Sequence, residues 1–253
     1  MKITHWVPTG STVAYWPAVI SWMDMLLPEG ASRVFYKGAV STPNLSWNKA
    51  VSDFLDSDSD WLFSTHDDVV FDPSTLIQLM SWCYPLVSAL IFMRQAPVVP
   101  HIWKAYRKGE QYAHRIEDTR KWFMKHKEYI RFGSFIMSPV PDDALVEVDF
   151  TSTSCTLIHR TVLEAMRAEC GGKWFLMDDP LKGGGEDRRF FEIAAKVGYQ
   201  AYVDRSCIVG HIMNDIPTSS ADFIAWDAIS VFHNTGERTD KENIEMNFDK
   251  ETK

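Results

Sequence analysis

The stretch Trp61–Pro73, WLFSTHDDVVFDP, decides how this chain is read. Apolar and β-branched residues flank a central His66-Asp67-Asp68, and runs of this kind read as a buried strand over Trp61–Phe71. Two adjacent carboxylates at the end of such a strand are disfavoured unless something positive meets them. A divalent metal is the partner that the chemistry favours, because hard cations take carboxylate oxygens. A turn, with Asp67 or Asp68 bonding its own backbone, is the simpler reading. The stretch alone leaves both open.

Upstream, Ile3–Val7 is a short apolar run entering Pro8-Thr9-Gly10, a first strand followed by a turn. Trp16–Leu27 has helical apolar spacing and stops at Pro28 and Gly30. Arg33–Tyr36 reads as a second strand, Lys37-Gly38 and Ser41-Thr42-Pro43-Asn44 as loop, and Ser46–Leu55 as a helix with Trp47, Ala50, Val51, Phe54 and Leu55 on one face. Downstream, Asp72-Pro73 is a helix start, with Asp at N-cap and Pro at N1. Val87–Phe92 is another buried strand. Strand and helix thus alternate through residues 1–92, which predicts an α/β fold with a mixed, mainly parallel sheet flanked by helices. Ligands of such sheets bind beyond the carboxyl ends of the strands. Pro8-Thr9-Gly10, Lys37-Gly38 and His66-Asp67-Asp68 all fall at such ends and should converge on one cleft.

Residues 93–145 differ in character. The segment 101–132 is crowded with Lys, Arg, His and aromatic residues. It reads as a solvated helix with an apolar stripe or, less simply, as a basic flap over an anionic ligand. Val146–Phe150 alternates as a half-buried strand does, Thr151–Ser154 is polar, Cys155–Ile158 is a short strand, and Thr161–Glu169 is a helix that Gly171 and Gly172 stop. Gly183-Gly184-Gly185 then leads into Glu186-Asp187, which open a helix with Phe190, Ile193, Ala194 and Val197 inward. Acidic residues in a first helical turn are favoured by the dipole alone. Tyr199–Val203 is a strand, and Cys207–Ile212 carries the lone His211 beside Gly210.

The whole chain has 253 residues, 45% of them hydrophobic, and a formal net charge of −8. That length and composition suit one large domain or two small ones; we expect one domain over 1–215 and a polar extension, ordered in part, over 216–253. The acidic balance argues against a nucleic-acid binder, which needs a basic footprint. A phosphorylated ligand is still compatible if a metal supplies the positive charge. Cys83, Cys155, Cys170 and Cys207 show no CxxC spacing, so they read as core residues rather than zinc ligands. Among the ten tryptophans, Trp6, Trp16, Trp22 and Trp47 are candidates for a stacking platform. The N-terminus lacks the apolar segment of a signal peptide and no apolar run approaches the ~18 residues of a spanning helix. The expectation is a soluble cytoplasmic protein without integral membrane association.

Two passages, FSTHDDVVFDPSTL and GGGEDRRFFEIAAKVGYQAYV, together with the later His211, resemble the nucleotide-sugar-dependent glycosyltransferases of GT-A fold, in particular the family 2-like branch. The resemblance runs from Ile3 to Ile212. It implies a Rossmann-like nucleotide-binding half over 1–92, a variable insert over 93–145 and an acceptor or catalytic half over 146–215. It aligns the family's Asp-x-Asp motif with His66-Asp67-Asp68. Asp68 would then coordinate Mn²⁺ or Mg²⁺ bridging the donor's diphosphate, and His66 would stand where the family has its first acid. Pro8 and Thr9 would edge the nucleotide pocket. Asn48 would face the nucleotide and its diphosphate, with Trp47 in place of the family's Arg. Glu186 and Asp187 match the pair in which inverting members keep a general base. His211 matches a histidine that completes the metal site in some members. Tyr36-Lys37-Gly38 replaces the family's Asp-Asp-Gly-Ser, so the base is not named.

The activity implied is metal-dependent transfer of a sugar from a nucleoside-diphosphate-sugar donor to a glycan, lipid-linked or small-molecule hydroxyl acceptor, inverting or retaining. A sugar-phosphate nucleotidyltransferase would want a basic, glycine-rich loop after the first strand, and Trp6–Tyr15 has no Lys or Arg. A metal-dependent phosphohydrolase would want more clustered ligands. A non-catalytic glycan- or nucleotide-binding relative of the fold is the remaining alternative.

Overall fold

A computed structural model of the chain describes residues 1–8, 14–38, 42–93, 100–105, 112–114, 145–177, 185–213 and 216–218. Its elements, in chain order, are β1 (Lys2–Val7), α1 (Trp16–Asp24), β2 (Ser32–Lys37), α2 (Pro43–Asp56), β3 (Trp61–Thr65), β4 (Val69–Val70), α3 (Thr75–Ser81), β5 (Leu86–Ile91), β6 (Ile102–Ala105) and β7 (Tyr112–His114). They continue with β8 (Leu145–Val148), β9 (Phe150–Thr151), β10 (Cys155–His159), α4 (Arg160–Cys170), α5 (Glu186–Lys196), β11 (Ala201–Met213) and β12 (Ile216–Thr218).

The main sheet has the order β12-β11-β5-β10-β3-β1-β2, and β4 and β8 add to β11. β1 pairs parallel with β2 and β3, and β11 pairs parallel with β5. β10 pairs antiparallel with both β3 and β5. The strands β2, β1, β3, β5 and β11 therefore all run one way, and β10 alone reverses among these central strands. The sheet is mixed and mainly parallel, as expected. A separate small sheet has the order β7-β6-β9.

Period-two alternation sends the strands' side chains to two cores. Leu62, Leu86, Leu90 and Ile158 meet Trp47, Val51 and Phe54 of α2, Val162, Leu163 and Met166 of α4, and Phe190, Phe191 and Ala194 of α5. Ile3, Phe63, Val87, Ala89 and Leu157 meet Ala18 and Trp22 of α1 and Leu76 and Leu79 of α3. Helices thus cover both faces, which is what fully buried strands such as Leu86–Ile91 require.

Several boundaries differ from expectation. The predicted strand Trp61–Phe71 is two strands, because His66-Asp67-Asp68 turn the chain from β3 to β4, which leaves β3's neighbours and pairs with β11. Asp72 is not the N-cap of the next helix. Its carboxylate accepts from the backbone N–H and the hydroxyl of Ser74 in an Asx turn, and α3 begins at Thr75. α2 starts three residues before the predicted Ser46, with Pro43 in its first turn. Tyr199–Val203 and Cys207–Ile212 belong to one strand, β11, whose register against β5 shifts between Asp204 and Ile208. Within 101–132, residues 102–105 and 112–114 are strands rather than helix, and the rest of that segment lies outside the described residues. All four cysteines are free; Cys155 and Cys207 are buried as core residues, whereas Cys83 is exposed.

Candidate functional site

The shared direction of β1, β2 and β3 brings their carboxyl ends to one edge. There the Gly38 N–H donates to the carbonyl of Val7 at 2.8 Å, which ties the β2 exit to the β1 exit. A Cβ on Gly38 would lie 2.8 Å from Ser46 Oγ and 3.1 Å from the Trp6 ring, so only glycine fits this crossing. Pro8 is buried at the end of β1, and Thr9 lies outside the described residues.

The β3–β4 turn sits at the same edge. Tyr15 N–H, just before α1, donates to the Asp67 carbonyl at 3.3 Å. Asp68 is buried, and its carbonyl accepts from Ile212 N–H of β11 at 2.8 Å. The β4–β11 ladder puts His211 opposite Val69. This register brings His211 Nε2 to 3.3 Å from Asp68 Oδ2. The other ring nitrogen, Nδ1, lies 3.1 Å from the Phe92 carbonyl. A carbonyl only accepts, so Nδ1 carries a proton. In the neutral ring Nε2 then presents a lone pair to a carboxylate oxygen. A proton on Nε2 would make the contact an ion pair, and a bound cation could take the same place between the two atoms. Carboxylate oxygen with imidazole nitrogen is a donor set suited to Mn²⁺, and less so to Mg²⁺. Among the described residues no group of three or more His, Cys, Asp or Glu is arranged to hold a metal.

The reversed strand β10 starts at the same edge, with Cys155 opposite Thr65. The turn before it is Ser152-Thr153-Ser154, all three buried. Ser154 accepts at its carbonyl from His66 N–H at 3.0 Å, and its Oγ lies 3.2 Å from His66 Nδ1. Thr153 Oγ1 donates to Asp187 Oδ1. Asp187 stands in the first turn of α5, whose N-cap Gly185 offers no side-chain cap. Burial, and then the charge of Glu186, push the Asp187 carboxyl up to about 7, against hydrogen bonds from Thr153 and Ser152 that favour its ionised form. A carboxyl poised there is matched to general-base work near neutral pH.

Asn48 and Trp47 face elsewhere. The Asn48 amide donates to the Phe175 carbonyl at 2.8 Å and accepts from Phe175 N–H at 2.9 Å. It clamps the backbone after α4. Trp47 is fully buried and stacks on Phe175, centroids 4.6 Å apart, while its ring also lies 6.3 Å from that of His66. Phe175 stacks in turn on Phe190 of α5 at 4.7 Å. Trp47 is thus a core residue beneath the site, and an exposed stacking platform is not its role. Of the other tryptophans considered, Trp6 and Trp22 are buried and Trp16 is exposed.

Residue-by-residue reading missed the Ser152-Thr153-Ser154 turn, seen only as polar; its hydroxyls matter because the fold places them between Asp187 and His66. It also missed His101, whose pKa burial and the nearby His211 lower to about 4.

No known family profile matches the chain, and no curated protein does. Solved structures do. Protein A197 from STIV aligns with a TM-score of 0.50 at 18% identity, over 88% of this chain and 92% of that one. The structure of GalNAc-T7 with UDP, GalNAc and Mn²⁺ aligns with a TM-score of 0.50 at 11% identity, over 90% of this chain and 47% of that one, so this chain spans about half its length. At such identities the likeness concerns the fold alone, and the fold is GT-A-like. Among the described residues no helix is long and apolar enough to cross a membrane.

Proposed function

We propose that this protein is a metal-dependent glycosyltransferase that moves a sugar from a nucleoside-diphosphate-sugar donor to a hydroxyl acceptor. The observation that carries the reading is the pairing of Asp68 Oδ2 with His211 Nε2, 3.3 Å apart at the carboxyl edge of the sheet. Asp68 and His211 would hold Mn²⁺ or Mg²⁺. When bound, the cation supplies positive charge to the diphosphate that leaves. Pro8, His66 and Asp67 would border the donor, with Thr9, outside the described residues, assigned beside them from the sequence resemblance alone, and Asn48 would act on it through the segment it clamps. Asp187 receives the acceptor hydroxyl's proton if the reaction inverts, with Glu186 tuning it through charge; if it retains, these acids position the acceptor. GalNAc-T7, by its description, binds UDP, GalNAc and Mn²⁺; we extend only the class of ligand to this chain.

The test is thermal stabilisation by a panel of nucleoside diphosphates, with and without Mn²⁺. A ligand at a hundred times its Kd stabilises the native state by about 2.7 kcal/mol. One diphosphate should raise the melting temperature, and only with metal. The Asp68→Ala variant should lose that shift while its unliganded melting stays cooperative. A shift that survives Asp68→Ala would overturn the metal assignment, and no shift with any diphosphate would favour a non-catalytic binding protein.

A further inference from the structure

The strand that carries His211 to Asp68 is interrupted on the way. Along β5 the ladder advances one residue, from Ala89 to Leu90, while β11 advances from Asp204 to Ile208. Arg205, Ser206 and Cys207 are therefore absorbed outside the ladder. Left extended, three residues would lengthen the strand by about 10 Å, and His211 would overshoot the turn that holds Asp68. The number is also odd, so the strand turns over. Val203 lies in the core with α2, and Val209, which unbroken alternation would send to the same side, lies in the core with α3. One side chain gathers the extra residues. Asp204 is fully buried, and its Oδ1 accepts from the Ser206 N–H at 2.9 Å, the Ser206 hydroxyl at 2.6 Å and the Cys207 N–H at 3.1 Å. Its Oδ2 accepts from the Gln78 amide of α3 at 2.9 Å and from the indole N–H of Trp82, at the end of α3, at 2.8 Å. Gln78 also donates to Ser206 Oγ at 2.9 Å. These charge-assisted bonds fix the bulge and fasten it to α3.

We propose that Asp204 is a positioning residue: by folding Arg205-Ser206-Cys207 out of the ladder, it sets the register in which His211 stands opposite Val69 and its ring meets Asp68. Beyond the bulge, that register is held by the Ile212 N–H, which donates to the Asp68 carbonyl at 2.8 Å, and by the pairing of β11 with β4. Before the bulge, Tyr202 and Val203 are held independently between β5 and β8. The bulge is thus a joint between a part of β11 that belongs to the sheet and a part that belongs to the site. The inference deepens the transferase reading. It rests on that reading only for the use of the joint, since a cation shared by Asp68 and His211 needs both in place.

The experiment is amide hydrogen exchange of the full chain by NMR, without metal or diphosphate, on wild type, Asp204→Ala and Asp204→Asn. Asn keeps an acceptor for the Ser206 and Cys207 bonds, and Ala keeps none. The quantity read is the exchange rate of the Ile212 amide relative to that of Val203. In Asp204→Ala this ratio should rise about tenfold or more, as local opening no longer breaks charge-assisted bonds. In Asp204→Asn it should stay within about threefold of wild type, because the turn's own bonds persist. A ratio unmoved in Asp204→Ala, whether both amides hold or both accelerate together, makes Asp204 a structural residue only and overturns the proposal. If Asp204→Ala fails to fold, Gln78→Leu combined with Trp82→Phe, which strips Oδ2 of both donors, should raise the same ratio, and no rise overturns the proposal. The metal-dependent thermal shift with a diphosphate should be lost in Asp204→Ala and kept in Asp204→Asn. A wild type without that shift counts against the transferase reading alone, and the exchange ratio still decides Asp204.

Discussion

At the scale of single residues, Asp187 shows how the fold sets a carboxyl against its own preference. The N-terminus of α5 and two hydroxyls favour its charge, yet burial and Glu186 win and raise it from 3.8 to about 7. The native state then binds this proton more tightly than the unfolded chain. Between 3.8 and about 7 the native form holds a proton that the unfolded form has lost, so Asp187's contribution to stability falls as pH rises through that window and is level above it. Asp187→Asn removes the ionisation. Its gain in stability over wild type should be near zero at acid pH, grow through the window, and reach roughly 1–4 kcal/mol by pH 8. That range follows from about 1.4 kcal/mol for each tenfold difference in proton affinity between the folded and unfolded chain, discounted because the side chain is only partly shielded from water. Urea titrations of both proteins across this range check it. A flat difference would mean that the carboxyl titrates normally and is no candidate for a base at neutral pH.

At the scale of elements, most of the fold was legible, and what was not has specific causes. Periodicity shows where apolar faces lie, so β1, β5, α2 and α5 were readable within a few residues. Strand direction leaves no trace in a period of two, and nothing in Cys155–Ile158 announced that β10 runs against its neighbours. The break inside Trp61–Phe71 was hidden for a related reason: Val69, Val70 and Phe71 are apolar because they meet β11 and its core, not because they continue β3. The candidate site was proposed in the sequence as residue types, Asp68 with His211 and Asp187 with Glu186, and the fold brings the first pair within 3.3 Å. The hydroxyl turn was not, since its meaning depends on the register of β10 against β3. Equally silent was Arg160, at the start of α4. Its guanidinium donates to the carbonyls of Phe54, Leu55, Ser57 and Ser59, so that it caps the end of α2 and the loop into β3. It also lies 4.8 Å over the Phe54 ring. Arg160→Met keeps the packing length but removes the guanidinium's bonds to all four carbonyls, of which Phe54 keeps the N–H and hydroxyl of Ser57 as donors. We expect a loss of about 3 kcal/mol by urea unfolding, in line with charge-assisted bonds to part-buried carbonyls. A loss below about 1 kcal/mol would show that water replaces the guanidinium at no great penalty.

At the scale of the whole molecule, one sheet separates two apolar layers, and it is also the sheet whose carboxyl edge carries the site. Leu163 of α4 is fully buried in one layer and Leu79 of α3 in the other. The two side chains share no core, only the strands between them. Replacing either by Ala should cost roughly 2–5 kcal/mol, the range for buried leucines. Because each cavity opens on its own face, the double variant should lose the sum within about 0.5 kcal/mol. Both layers close on the same strands, so neither can melt while the sheet persists, and unfolding of every variant should remain a single transition by fluorescence and circular dichroism alike. Coincident transitions with additive losses would establish that the residues from β1 to β11 fold as one unit. Two separable transitions would divide the strands up to β5 from the later half. The joint edge where Asp68 meets His211, and Ser154 meets His66, would then form only after both halves had folded and docked.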